Sequence, residues 1–166
     1  MREADMTGYN AAYDFNWINY LDKRNIFVNF CAADKHDAIS KLIGIMDPGE
    51  AISDKADYMA SVFEREELGT TGLGDSVAMP HGKSGAVKKM SVALAKLSQP
   101  MDFESIDNSP VSYIFLIASP LNADTLYIKV MASIIRSVKI HRICEKMNTL
   151  ESPGEIYEML LKTVIE

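Results

Sequence analysis

An uncharged stretch, VSYIFLIA at 111–118, restricts the fold more than any other part of the sequence. It is rich in β-branched and aromatic residues, which favours a β-strand. A strand with apolar side chains on both faces has to be covered on both faces. The stretch is also far too short to span a bilayer. We therefore expect a strand in the interior of a sheet, between two layers of helices.

Further strands are predicted at IFVNF (26–30), SVAM (76–79) and SVALAKL (91–97). In the last of these, strict alternation places two sets of side chains on opposite faces. The first set is Val92, Leu94 and Lys96, and the second is Ala93, Ala95 and Leu97. FESIDNSP, at 103–110, is predicted to be a loop.

Helical segments alternate with these strands. A short helix is expected at FNWINYL (15–21), and a longer one begins after Asp34, whose side chain serves as N-cap. Ala38, Leu42 and Ile45 are predicted to lie on one face of this helix. The DPGE segment at 47–50 is expected to end this helix, because its proline cannot continue the hydrogen-bond ladder.

Three more helices are predicted from local sequence signals. One helix is predicted from about Asp54 to Leu68, and two helices follow from Asn122 onward. The second of these two opens with Ser152, Pro153 and Glu155, which form a capping box with proline at the first helical position.

The alternation of strands and helices predicts an α/β fold: a single domain in which a mixed β-sheet is flanked by helices on both faces. A chain of 166 residues with 48% hydrophobic content is of ordinary size for one core. Residues 1–14 are expected to form a mobile N-terminal extension, and the domain to occupy 15–166.

Charge and cysteine content exclude several classes of protein. The net charge is −6, with a pI near 5.1, and this disfavours nucleic-acid binding. The two cysteines, Cys31 and Cys144, lie far apart without a CxxC pattern, which favours a reducing cytoplasmic location. Neither a secretory signal nor a membrane span is predicted. His141 and Cys144 have ligand spacing, but two ligands make no zinc site, so we expect no metal.

His81 stands in a segment whose backbone is restricted, MPHGK at 79–83. Pro80 fixes its own φ and biases Met79 toward an extended conformation, whereas Gly82 permits another group to approach closely. An imidazole at such a strand end can keep one ring nitrogen free as a nucleophile while the other donates to a carbonyl. From these residues alone, a purely structural turn histidine is an equally good interpretation.

A glycine cluster, Gly69, Gly72 and Gly74, precedes this histidine without matching GxGxxG or a Walker P-loop. It predicts a tight loop whose amides near Thr71, Gly72 and Gly74 can hold an anion. Arg65 comes just before the loop. Its guanidinium suits phosphate oxygens, although FEREEL is equally compatible with a solvated, ion-paired helix face.

The whole segment REELGTTGLGDSVAMPHGK, at 65–83, resembles the enzyme IIA family of the bacterial phosphoenolpyruvate-dependent phosphotransferase system, in its fructose/mannitol and nitrogen-regulatory branch. The shared pattern is an RE pair, T-G-x-G, an apolar pair and P-H-G. The I-D-x-x-P-V stretch before the uncharged strand is also similar, and the likeness extends from about Phe15 to the C-terminus. The resemblance implies a mixed sheet flanked by helices.

The resemblance also implies roles for particular residues. His81 would accept a phosphoryl group from the phosphocarrier protein HPr and pass it to an enzyme IIB component, and Arg65 would bind the phosphate. Thr71, Gly72, Gly74 and Gly82 would form the loop that positions the phosphate, and neither a nucleotide, another cofactor nor a metal is implied. Members commonly carry a second histidine in the helix after the buried strand, and alignment by eye places Tyr127 there.

That replacement keeps a second function open: a regulatory module that binds a target protein with weak or no phosphoryl transfer. Tyrosine donates a hydrogen bond but stays neutral near pH 7, so it cannot supply the cation that histidine can. An unrelated histidine hydrolase ranks last, because neither a serine elbow nor a paired carboxylate accompanies His81.

Overall fold

The structure, a computed structural model, describes residues 15–47 and 50–164. The predicted extension at 1–14 lies outside these residues. So do the proline and glycine at 48 and 49, which were expected to end the helix that begins after Asp34. The strands are β1 (Leu21–Phe30), β2 (Gly72–Gly74), β3 (Val77–Ala78), β4 (His81–Lys83), β5 (Ser91–Met101) and β6 (Val111–Ser119). The helices are a single 3-10 turn (Trp17–Tyr20), α1 (Lys35–Ile45), α2 (Lys55–Glu67), α3 (Asp124–Lys139), α4 (Ile143–Met147) and α5 (Pro153–Val164).

The strands form one mixed sheet in the order β1-β5-β6-β3-β2, and β4 pairs with β6 beyond β3. The pairs β1–β5, β3–β6 and β4–β6 are parallel, whereas β5–β6 and β2–β3 are antiparallel. The uncharged stretch is β6, in the interior of the sheet, and only Ser112 among its residues is not fully buried. The expected α/β fold is confirmed.

Helices cover both faces of the sheet, as predicted. On one face, α1 and α2 pack against Ala93, Ala95 and Leu97 of β5. On the other, the 3-10 turn and α3, α4 and α5 pack against Val92 and Leu94. The alternation in β5 is therefore confirmed. Lys96, on this second face, donates from Nζ to three backbone carbonyls, those of Met147, Asn148 and Leu150, at 2.8–3.0 Å.

Side-chain N-caps are present at three helices, including the two that were predicted, at Asp34 and Ser152. Asp34 and Asp54 accept from the backbone N–H groups of Asp37 and Asp57 at 2.8 and 3.1 Å. Ser152 accepts from the N–H of Glu155 at 3.2 Å, and the Glu155 carboxylate accepts from the N–H of Ser152 at 3.1 Å. These bonds close within one turn, which explains why the sequence alone located them.

The face of α1 that carries Ala38, Leu42 and Ile45 is buried only in part. Ala38 and Leu42 are fully buried, but Ile45 is 50% exposed. Ile39 and Ile43 are also fully buried, so the apolar face is centred toward them and Ile45 lies at its edge, in the last turn.

The region after Asn122 contains three helices instead of the predicted two. Arg142 has φ of +53°, in the left-handed region, and this residue separates α3 from the five-residue α4. His141 consequently lies past the end of α3. Across residues 15–47 and 50–164, the helices are too short or too polar to cross a membrane.

Candidate active site

His81 opens β4, next to Ile117 of β6, and follows Pro80 directly. The side chain is 8% exposed, so the imidazole is largely withdrawn from water. Pro80 O accepts from the N–H of Ile117 at 3.1 Å, which joins the restricted turn to the central strand of the sheet. His81 was predicted to project from the end of the SVAM strand, but that strand, β3, ends at Ala78 and His81 begins the separate strand β4.

The protonation state of the ring follows from one contact. Nδ1 of His81 lies 2.9 Å from the carbonyl oxygen of Met79. A carbonyl only accepts hydrogen bonds, so Nδ1 carries the proton and donates, and in the neutral ring Nε2 holds the lone pair. The nitrogen available as a nucleophile is therefore Nε2.

Several groups tune the basicity of His81. Burial lowers its pKa most, and the hydrogen bond to Met79 opposes this by favouring the protonated ring. The cations Arg65 and Lys83 lower the pKa further, whereas the Glu66 carboxylate raises it. The net pKa lies below the ordinary value of 6.5, so the ring is neutral, and nucleophilic, near pH 7.

Gly82 explains how α2 comes so close to this strand. A Cβ at Gly82 would lie 2.9 Å from the backbone nitrogen of Val62, a distance that real Cβ atoms do not adopt. The absence of a side chain lets β4 pack directly on α2 and places the end of α2 beside His81. The predicted close approach at Gly82 is confirmed.

Arg65 lies in the last turn of α2 and is half-buried. One guanidinium nitrogen, Nη1, donates to the carbonyl of Gly69 at 2.9 Å, while the positive charge acts on both His81 and Tyr127. The structure therefore brings the charge of Arg65 to act on His81 across 16 positions of sequence.

The loop between α2 and β3 is closed by hydrogen bonds of its own. Thr71 N donates to the Glu66 carboxylate at 3.0 Å, and Gly72 N donates to the hydroxyl of Thr70 at 3.0 Å. In this arrangement these two amides are engaged and do not face an empty anion site. Gly74 has φ of +88° and closely approaches Asp107, which accounts for a glycine there.

Tyr127, in the first turn of α3, is the aromatic neighbour of His81. The two ring centroids are 5.4 Å apart, with the planes tilted by 54°. Burial raises the pKa of Tyr127 to about 12, so its hydroxyl stays protonated and neutral. The structure places Tyr127 where it can contact a group on His81.

Two residues with contacts in the site were given no role from the sequence. Lys83 Nζ lies 4.8 Å from the ring centroid of Tyr127 and forms an ion pair with Asp124. Glu66 closes the loop. Lys83 directly follows the P-H-G motif and Glu66 is the second residue of the RE pair, and these positions were the available signal. In the described part of the chain, no three His, Cys, Asp or Glu side chains are grouped to hold a metal.

The site thus combines a neutral, buried histidine on β4, whose Nε2 holds the lone pair, with an arginine in the last turn of α2. A sequence model of the family "Phosphoenolpyruvate-dependent sugar phosphotransferase system, EIIA 2" matches residues 19–163. The chain belongs to this family.

Named relatives fall in two branches of the family. A nitrogen regulatory protein of Bradyrhizobium diazoefficiens is 37% identical over 99 residues, which cover 60% of this chain and 65% of that protein. The crystal structure of the nitrogen regulatory protein IIA-Ntr of Neisseria meningitidis superposes with a TM-score of 0.78, at 29% identity, covering 86% of this chain and 97% of that one.

The Escherichia coli complex of enzyme IIA mannitol with phosphorylated enzyme IIB mannitol superposes with a TM-score of 0.71, at 25% identity. It covers 84% of this chain and 95% of that one. The chain is thus similar both to nitrogen regulatory proteins and to a sugar-specific enzyme IIA.

Proposed function

We propose that this protein is a phosphoryl carrier that accepts a phosphoryl group on Nε2 of His81 and donates it to a second protein. The observation that carries the proposal is the bond from Nδ1 of His81 to the Met79 carbonyl, at 2.9 Å. It fixes the tautomer with a lone pair on Nε2, next to Arg65. Membership of the enzyme IIA family supports the same chemistry.

In the proposed reaction, Nε2 attacks the phosphorus of a phosphohistidine on the donor protein, in line with the donor's N–P bond. The N–P bond to His81 forms as the donor bond breaks, and the donor imidazole leaves with the electron pair. The proton on Nδ1 stays in its hydrogen bond to the Met79 carbonyl, which stabilises the positive charge that the His81 ring acquires when Nε2 bonds to phosphorus. The donor ring, protonated on its other nitrogen, leaves as a neutral imidazole. Transfer onward is the reverse process with a new acceptor.

Charge stabilisation falls to the cations around the ring. The three phosphoryl oxygens carry the charge in the transition state, and Arg65 and Lys83 are the cations acting on His81. The loop residues Thr71, Gly72 and Gly74 contribute indirectly. The amides of Thr71 and Gly72 are bonded within the loop, which fixes its conformation. The same loop carries the Gly69 carbonyl that accepts from Arg65 and so holds the guanidinium in place. Gly82 sets the distance between Arg65 and His81 through α2.

We propose HPr as the donor and an enzyme IIB component or a regulatory target as the acceptor, within a domain at 15–166. The similarity to an enzyme IIA mannitol bound to phosphorylated enzyme IIB supports an IIB-type acceptor. Cys31 and Cys144 are free thiols, which is consistent with the proposed cytoplasmic location.

The test is the intact mass of the protein after incubation with phosphoenolpyruvate, enzyme I and HPr. We expect a single added phosphoryl group on the wild type, which requires HPr, and none on His81→Ala. A His141→Ala variant serves as control, because that residue lies past the C-terminal end of α3, whereas Tyr127, the neighbour of His81, lies in the first turn of this 16-residue helix. An unmodified wild type, with partner proteins active on another acceptor, would refute the proposal.

A second candidate is a regulatory module that signals by docking to a target in one phosphorylation state. Tyr127 favours it, because a neutral phenol beside His81 cannot supply the positive charge expected of a second histidine. The similarity to nitrogen regulatory proteins supports it as well. Phosphate that enters His81 but does not move on to any IIB component would favour this alternative.

A further inference from the structure

A series of hydrogen bonds, joined through Thr71 and Met79, connects the outer surface with the imidazole of His81. Lys35 Nζ is 2.6 Å from Oε1 of Glu66, and Oε2 of Glu66 accepts from the Thr71 hydroxyl at 2.6 Å. The Thr71 carbonyl accepts from the N–H of Met79 at 2.9 Å. The other end of that residue, the Met79 carbonyl, accepts from Nδ1 of His81 at 2.9 Å.

The residues that these hydrogen bonds join are largely buried. The side chain of Glu66 is 7% exposed, and Thr71 and Met79 are 2% and 1% exposed. Both carboxylate oxygens of Glu66 are used, since Oε1 also accepts from Thr71 N at 3.0 Å. A carboxylate with this many donors is held in one rotamer, and such charge-assisted bonds are stronger than neutral ones.

Lys35 anchors the outer end. It pairs with Glu104 at 3.0 Å as well as with Glu66, and its ammonium lies 5.4 Å from the ring centroid of Phe103. Burial lowers the pKa of Lys35, but the bonds to the two glutamates outweigh this effect and leave the pKa raised. Lys35 therefore stays charged and keeps Glu66 oriented toward Thr71.

We propose that Glu66 is a positioning residue for His81: it holds Thr71, and through Thr71 and the Met79 peptide it fixes His81 in the Nδ1–H tautomer. This inference rests on the proposed role of His81 as phosphoryl acceptor. Glu66 does not touch the reacting nitrogen. It acts by keeping the Met79 carbonyl aimed at Nδ1, so that Nε2 keeps its lone pair.

The test uses the unphosphorylated, 15N-labelled protein and requires no phosphoryl transfer. Long-range 1H–15N correlation of the His81 ring, at a pH where the ring is neutral, reports the tautomer ratio directly. We expect the wild type to be predominantly Nδ1–H. In Glu66→Gln the ratio should shift about three- to tenfold toward Nε2–H, the change expected from weakening one hydrogen bond.

Two sets of variants separate this effect from charge and from folding. Glu67→Gln makes the same change of charge at the adjacent, exposed position of α2 and should leave the ratio unchanged. Thr71→Val removes the hydroxyl that bonds to Glu66 and should shift the tautomer ratio of His81 toward Nε2–H. Thr71→Ser retains a hydroxyl and should keep the wild-type ratio. The Thr71 pair carries the test if Glu66→Gln fails to fold.

Equal ring shifts in Glu66→Gln and Glu67→Gln, or in Thr71→Val and the wild type, would overturn the positioning role. A wild type in the Nε2–H tautomer would overturn it too. Because these readouts need no donor protein, a tautomer response without any phosphorylation would refute only the proposed function. Normal phosphorylation with unchanged tautomers would refute only the positioning role.

Discussion

His81 is a base that the protein keeps neutral. Its pKa lies below 6.5 because burial disfavours the imidazolium, and Arg65 adds electrostatic repulsion. The sign of this effect matters for the proposed chemistry. A lowered pKa extends the pH range of the nucleophilic form downward, so the acceptor stays competent as pH falls through 6.5 and is lost only at the lowered pKa.

Replacing Arg65 tests its role directly. In Arg65→Ala we expect the pKa of His81 to rise, since one of the cations that lower it is removed. Phosphate acceptance should slow by about 10²-fold, the usual cost of one charge-stabilising donor. NMR titration of His81 and a mass time course measure the two effects.

Arg24→Ala is the matched control for that variant. Arg24 is an exposed arginine paired with Asp22, at 2.7 Å, on β1. Its loss should leave both quantities unchanged. Wild-type transfer by Arg65→Ala, or a slowing explained by a lower melting temperature, would contradict the proposed contact with phosphate.

Tyr127 gives a second prediction at the same scale. In Tyr127→His we expect faster phosphate acceptance than in the wild type, with the gain increasing as pH falls toward about 6.5 and the new imidazole becomes charged. Tyr127→Phe, which keeps the ring and removes the hydroxyl, is the control. If the histidine variant transfers no faster than the phenylalanine variant, charge at this position is not limiting.

The packing of α2 on β4 depends on a missing side chain. Gly82 has no room for a Cβ, because Val62 of α2 would lie at 2.9 Å from it on both its backbone nitrogen and Cγ2. A backbone atom cannot move aside as a flexible side chain can. The spacing of Arg65 and His81 is therefore set by an interface between two elements.

Gly82→Ala should push α2 and β4 apart. We expect a loss of about 1–3 kcal/mol in the free energy of unfolding from overpacking, together with slower phosphate acceptance. Gly44→Ala, in α1, is the control: its Cβ meets nothing within 4 Å, and it should stabilise the protein by about 0.5–1 kcal/mol. Denaturant unfolding measures both, and an unaffected Gly82→Ala would show that the interface can relax.

Over the whole molecule, the sheet separates two apolar layers, and polar side chains connect the sheet to the helices that cover it. Lys96 lies on the face covered by α3, α4 and α5. Its ammonium donates hydrogen bonds to three carbonyls at the end of α4 and in the turn that follows it. These carbonyls are at the end of a five-residue helix, and the last carbonyls of a helix have no partner within it. A charged side chain in the sheet thus holds a short distant element in place.

Lys96→Met should cost about 1–3 kcal/mol of folding free energy, because it leaves carbonyl acceptors without a donor. It should also increase hydrogen exchange in α4 more than elsewhere. Lys129→Met, at an exposed position of α3, makes the same change of side chain and should have little effect on either measurement. Uniform destabilisation, without a larger response in α4, would contradict the local role of Lys96.

Much of the candidate site was accessible from the sequence. Arg65, Thr71, His81 and Tyr127 were singled out there. In the structure the charge of Arg65 and the ring of Tyr127 act on His81 directly, whereas Thr71 bonds to Met79, whose carbonyl accepts from His81. Glu66 was overlooked as a contributor because its partners, Lys35 and Thr71, lie 31 and 5 positions away on opposite sides of it. The RE pair includes Glu66, but nothing in a charged helix end distinguishes a buried glutamate that holds other groups from a solvated one.

What the sequence by itself determined is local. Asp34 and Ser152 cap helices through bonds that close within one turn, and the alternation in β5 assigns each side chain to a face. Such signals need only neighbouring residues, whose geometry the backbone fixes. Tertiary structure decided the exposure of Ile45, the break at Arg142, the fit at Gly82 and the path from Lys35 to His81. Each of these depends on which distant segments meet, because burial and hydrogen bonding between segments are properties of the packed chain and not of any short stretch within it.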